Sequence, residues 1–143
     1  MKAGRHSMEL VVDTNVVVSA LLKAGVSRAL LFRPDWKLAS PEKLAEEIEK
    51  HRQELIEKAR MDEGEFETAV RMVLSNIKIL QFESYSAHLK KAYEISPDKD
   101  DAIFLAAALA LRCPIWSNDK RLKQQEDVQV CSTAELLRRI SRR

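Results

Sequence analysis

The sequence predicts an α/β fold in which a mainly parallel sheet is covered by helices on both faces. Three observations carry this expectation. Short apolar runs at Leu10–Val12, Trp36–Ala39, Ile115–Trp116 and Val128–Cys131 have strand length. The stretches between them place apolar residues at helical spacing. Ala102–Leu111 is apolar all round, as in a helix buried on several sides. Strands alternating with helices make parallel pairing the expectation.

The elements follow in order. Leu10-Val11-Val12 is a buried strand closed by Asp13-Thr14-Asn15. A helix runs from Val16 to Lys23, with Gly25 as its stop. Leu30-Leu31-Phe32 belongs to a second short helix, ended at Arg33-Pro34. Ser40 and Pro41 predict a helix start, with Ser as N-cap and Pro at the first helical position. Leu44, Ile48, Leu55 and Ala59 continue that helix on one face. Phe66, Val70, Val73, Leu74 and Ile77 mark another helix, and a short strand falls within Ile77–Phe82. Tyr85, Leu89, Ala92 and Tyr93 mark one more helix, and Ser96–Asp100 is a polar turn. Ser132-Thr133-Ala134-Glu135 has the spacing of a capping box and opens the last helix.

Composition narrows the function classes. The 143 residues suit one domain, expected over 8–143 with a basic C-terminal tail, and residues 1–7 read as a disordered leader or tag. Lys plus Arg number 24 and Asp plus Glu 22, for a net charge of +2. Binding nucleic acid by bulk charge alone is therefore excluded, and any such role depends on how charge is arranged. Two Cys do not form a disulfide framework. No apolar run reaches the length of a membrane span. The expectation is a cytoplasmic protein with no membrane partner.

The acids fall at informative places. Asp13 closes the first strand and Asp119 follows the strand at Ile115-Trp116. Parallel α/β sheets bind ligands at the carboxyl ends of their strands. Asp101 stands at the first turn of the most buried helix, and Glu47 lies just before the core position Ile48. Any one of these acids alone reads best as a cap. Together they would crowd one rim. Two like charges about 4 Å apart repel by roughly 4 kcal/mol at an effective dielectric near 20. A divalent cation removes that cost, and an all-oxygen shell selects Mg²⁺ or Mn²⁺ over Zn²⁺. Carboxylate-held metal with open water positions suits phosphodiester hydrolysis. Both strand-end acids are also flanked by Asn and a hydroxyl residue, as in Asp13-Thr14-Asn15 and Ser117-Asn118-Asp119. Such side chains orient carboxylates or bound water.

These motifs, with Ser40-Pro41 leading to Glu47-Ile48 and Asp98–Ala108 running into the Ala-rich helix, make the sequence resemble the PIN-domain ribonucleases, VapC-like toxins included. The resemblance spans roughly residues 8–137. It implies a three-layer α/β/α sandwich and a metal-dependent endoribonuclease. It implies that Asp13, Glu47, Asp101 and Asp119 hold one or two Mg²⁺ or Mn²⁺ ions for in-line hydrolysis of an RNA phosphodiester. Glu46 stays open as a substitute for Glu47, and Asp98 or Asp100 as sharing the role of Asp101. Asn15, Ser117 and Asn118 match the family's supporting polar residues. The implied partners are RNA, an antitoxin protein laid over the acidic pocket with a cation among the carboxylates, and a second copy in a homodimer. The alternatives are a PIN nuclease of RNA processing and a catalytically silent RNA- or protein-binding PIN module.

Phosphate binding beside an acidic pocket needs cations, and Lys120, Arg121 and Lys123 directly follow Asp119. His6, His51 and His88 show no ligand spacing. Cys113, Cys131, Trp36 and Trp116 read as core, and Asp98 and Asp100 as caps or turn formers. The helix from Phe66 to Ile77 is the candidate dimer face.

Overall fold

The computed structural model describes residues 8–141. The predicted leader, His6 and the last two arginines of the basic tail lie outside the described residues. Five strands form one parallel sheet: β1 (Met8–Val12), β2 (Trp36–Pro41), β3 (Ile77–Leu80), β4 (Ile115–Trp116) and β5 (Val130–Cys131). Their order is β3-β2-β1-β4-β5, with β1 at the centre. The last strand is shorter than the predicted Val128–Cys131, because Val128 is tied to the Gln125 side chain instead.

Alternation along the strands builds the three layers. Leu10, Val12, Trp36, Leu38 and Trp116 point to one side of the sheet. Five helices cover that side in sequence, namely α1 (Thr14–Leu22), α2 (Val26–Leu31), α3 (Lys43–Lys50), α4 (Arg52–Ala59) and α5 (Glu63–Leu74). The C-terminal α8 (Thr133–Ser141) joins them through buried Leu136. Val11, Ala39 and Ile115 point to the other side, under α6 (Leu89–Ile95) and α7 (Ala102–Leu111). The predicted α/β/α sandwich is the observed architecture. Trp36 and Trp116 pack edge to face with ring centroids 5.7 Å apart, a core role for both.

Four local expectations are corrected. Ser40 and Pro41 do not open a helix. They end β2, in register with Ile79 and Leu80 of β3. The Ser40 hydroxyl is consumed by the sheet, donating to the Val12 carbonyl at 2.8 Å. A strand terminus tolerates Pro, and α3 starts only after Glu42. The helix expected through Leu44, Ile48, Leu55 and Ala59 is broken at His51 (φ −104°, ψ 19°). The break lets α4 pack on α1 and bury Leu55 and Ile56. Gly25 is not the stop of α1. Lys23 closes that helix, and extended Gly25 (φ −154°) stands before α2 and accepts from Ala29 N–H. The helix expected from Tyr85 to Tyr93 begins as the short 3₁₀ turn Ser86–His88, preceded by another at Phe82–Ser84, and becomes α-helical only at Leu89. The capping box at Ser132 and Glu135 is present: each side chain bonds the other's backbone N–H, at 3.1 and 2.8 Å.

Candidate active site

The strand order brings the two terminal acids to one rim. β1 and β4 are neighbours, and Asp13 N–H donates to the Trp116 carbonyl at 3.0 Å. Asp13 is only 5% exposed. Its Oδ1 accepts from Thr14 N–H at 2.8 Å, while its Oδ2 accepts from Ser117 Oγ at 2.7 Å and Asn15 Nδ2 at 3.0 Å. All three donors are neutral, so the carboxylate is oriented without being neutralised. Burial raises its pKa above the usual carboxylate value despite those bonds, and the charges of Glu47 and Asp119 push the same way.

Ser117 is the hub. Its hydroxyl donates to Asp13 and accepts from Asn15 Nδ2 at 3.2 Å and from Asp119 N–H at 3.0 Å. Asn15 Oδ1 in turn accepts from Asn118 N–H at 3.2 Å, and Asn118 Oδ1 accepts from Thr133 N–H at 2.9 Å. The supporting residues thus stitch β1, β4 and the start of α8 into one frame.

Glu47 reaches the site from α3. Its Oε1 accepts a short hydrogen bond from Thr14 Oγ1, and its charge acts on Asp13. Glu46 is exposed on α3 beside it and makes no such bond. Asp101 stands before α7. Its Oδ2 is buried with no hydrogen-bond partner. Burial first, then the charges of Asp13, Asp119 and Asp98, push its pKa up to about 6. Asp98 behaves as a cap, with Oδ1 accepting from Asp100 N–H at 2.9 Å. Asp100 contributes its backbone carbonyl, which accepts from Lys43 Nζ at 2.6 Å.

Asp119 differs from the other three acids. Arg121 grips it from three directions: Nε to Oδ1 at 3.2 Å, Nη2 to Oδ2 at 3.0 Å and backbone N–H to Oδ1 at 3.0 Å. These bonds hold its pKa below the usual carboxylate value. Arg121 Nη1 also reaches Asp98 Oδ2 at 3.4 Å. Lys123 is held by Glu135 at 2.6 Å, a pairing that lowers the Glu135 carboxyl to about 2. Lys120 is exposed and makes no ion pair among the described residues. A cavity of about 490 Å³ beside Asp119 is lined by Ser117, Asn118, Lys120, Lys123 and Arg138. The two described histidines stay out of the acid network: His51 sits at the α3–α4 break, where it pairs with Glu54, and His88 ends a 3₁₀ turn.

The donor chemistry fits a hard dication: four carboxylates, and a buried Asp101 oxygen lacking any donor. As the side chains stand, no three acids, histidines or cysteines among the described residues converge as one ion's ligands. Thr14 holds Glu47, and Arg121 holds Asp119. Sequence reasoning missed two links. Thr14 was visible as a hydroxyl beside an acid, but its partner lies 33 positions away. The bond from Lys43 to the Asp100 backbone left no signal, since a carbonyl acceptor has no residue signature.

The PIN domain model matches residues 11–137. The chain belongs to the PIN domain family. Solved structures share the fold, three of them as follows. VapBC2 from Rickettsia felis, bound to a DNA fragment from their promoter, superposes with a TM-score of 0.66 at 16% identity, over 87% of this chain and 98% of that one. A toxin-antitoxin complex from Klebsiella pneumoniae gives 0.64 at 17% identity, over 87% and 97%. PAE2754 from Pyrobaculum aerophilum gives 0.70 at 18% identity, over 99% and 94%. No curated protein sequence matches the chain. No helix among the described residues is long and apolar enough to cross a membrane.

Proposed function

We propose that this PIN-domain chain is a Mg²⁺- or Mn²⁺-dependent endoribonuclease, the toxin of a toxin–antitoxin pair. The observation that carries the reading is the orphaned Asp101 oxygen, buried within reach of the charges of Asp13 and Asp119. A buried acceptor without a donor costs about 1–3 kcal/mol, and a cation among the acids offsets that cost. Asp13, Glu47, Asp101 and Asp119 would hold the ion. When bound, it supplies Lewis-acid stabilisation of a phosphodiester and lowers the pKa of attacking water.

The chain's own residues do the positioning. Ser117 and Asn15 fix the Asp13 carboxylate, and Thr14 fixes Glu47. Preset orientation removes reorganisation from the reacting state. Lys120 stands free at the rim to meet an RNA phosphate, and the adjoining cavity with Lys123 and Arg138 offers room for a neighbouring nucleotide. Among the similar structures are VapBC2 and a toxin-antitoxin complex, which supports a protein partner, and the acidic pocket is the surface we assign to it. Such a partner would place a cation among the carboxylates.

The test is cleavage of single-stranded RNA by purified protein with Mn²⁺. The wild type should cut, EDTA should stop it, and Asp13→Asn should slow it by about a thousandfold, the several kcal/mol of lost charge stabilisation. Cutting that survives both EDTA and Asp13→Asn overturns the reading.

A further inference from the structure

The Arg121 side chain has no role in the hydrolysis outlined above, yet it makes more polar contacts to acids than any other cation near the site. Its guanidinium takes both oxygens of Asp119 and one of Asp98. It follows Asp119 by two residues, on the 3₁₀ turn Lys120–Gln124, where Leu122 is buried and Arg121 points outward. The fork geometry is the strong, bidentate kind. Its contacts to acids among the described residues end there, and 61% of its side chain is accessible. An exposed clamp is displaceable at small cost, unlike the buried neutral donors around Asp13.

We propose that Arg121 is an internal competitor for the divalent ion: it closes over Asp119 in the metal-free chain and swings out when the ion takes that carboxylate. The proposal rests on the metal-binding reading above. The Asp119 corner is held by the chain's own cation, as the Glu47 corner is held by the neutral Thr14 hydroxyl. Neither Asp13 nor Asp101 has an ion-pair partner among the described residues, so the contact to be broken at a ligand is the one at Asp119, while the Arg121 charge also acts on Asp101. The consequence is a lowered apparent affinity for metal, set by a residue that touches no substrate. The freed guanidinium would remain on its turn at the pocket rim.

The experiment is a calorimetric Mn²⁺ titration of the full chain, comparing wild type with Arg121→Ala, Lys120→Ala and Asp101→Asn. Arg121→Ala should lower Kd by about tenfold, the worth of a good bidentate pair at a partly exposed position. Lys120→Ala removes an equal charge from the next residue and should change Kd by less than about twofold. In a Mg²⁺ titration followed by NMR, the Arg121 Nε–H should lose its protection as the site fills. An unchanged or raised Kd in Arg121→Ala overturns the clamp, because then Arg121 is either idle or a positioning group for Asp119. Equal tightening by Lys120→Ala also overturns it, leaving only bulk charge. If affinity falls in Asp101→Asn while Arg121→Ala changes nothing, the metal reading stands and the clamp falls. If no variant and no wild type binds Mn²⁺, both fall.

Discussion

Asp13 and Asp119 end neighbouring parallel strands, yet the chain holds them by opposite means. Asp13 is buried and fixed by neutral donors, which orient the carboxylate and leave its charge unspent. Asp119 is more open and is held by a cation from its own turn. Burial raises the pKa of the first, and Arg121 lowers that of the second. The difference teaches that one rim can carry a preset ligand and a releasable one. Neutral donors cannot leave without stranding a buried charge, whereas an exposed arginine can.

The strongest way to break the contrast is Ser117→Ala. Its hydroxyl serves Asp13, Asn15 and Asp119 at once, and Ser117 is only 1% exposed. Removing it withdraws a donor from a buried carboxylate and an acceptor from the Asp119 N–H. Stability should fall by about 2 kcal/mol, read as a lowered urea midpoint. A matched change at the releasable corner, Arg121→Ala, should lower the midpoint by a clearly smaller amount, since the pair it breaks is exposed. Equal losses at both corners would erase the distinction.

A smaller effect lies in pH. In metal-free protein the folded chain keeps the Asp101 proton up to about 6, while the unfolded chain releases it near 3.8. Between those values the native state binds more protons, so its stability declines as pH rises and levels off above about 6. The upward shift of Asp13 acts in the same direction. Asp119, lowered by Arg121, acts in the opposite direction and loses its contribution only as pH falls below the ordinary carboxylate value. Urea melts with EDTA across this window should show a decline on the order of 1–2 kcal/mol, allowing for screening at a half-buried site. Asp101→Asn should flatten it. An undiminished slope in the variant would assign the effect elsewhere, since Asp13 alone leaves only a residual one.

The sequence made the frame legible where one local pattern had one physical solution. Asp13-Thr14-Asn15 after an apolar run, and Ser117-Asn118-Asp119 after another, are strand ends whichever neighbours they find. Ala102–Leu111 is too apolar to sit anywhere but against a sheet. Ser40-Pro41 misled because the same pair satisfies two contexts. A Ser hydroxyl can cap a helix or feed a neighbouring strand's carbonyl, and only the register with β3 decides. The break at His51 was hidden because Leu44, Ile48 and Leu55 keep a helical period across it. The choice between Glu46 and Glu47 needed the approach of Thr14 from another element. Arg121 was visible as a cation beside an acid, but its grip on Asp119 depends on turn geometry that spacing does not encode.

The finest test separates orientation from charge at the Glu47 corner. Thr14 Oγ1 donates to Glu47 Oε1, linking the start of α1 to α3 across the rim. Thr14→Val keeps the shape and the β-branch while removing the donor. Glu47 stays charged and near Asp13, so metal affinity should change by no more than about threefold. RNA cleavage with Mn²⁺ should slow by about fivefold, because the carboxylate now samples other rotamers and is seldom in place. Thr14→Ser restores the hydroxyl and should restore most of the rate. If valine and serine variants cut alike, Glu47 needs no fixing, and the hydroxyl serves only to join two helices. If the valine variant is as slow as Asp13→Asn, the bond is part of the ligand set itself, and the Glu47 corner belongs with the preset side of the rim.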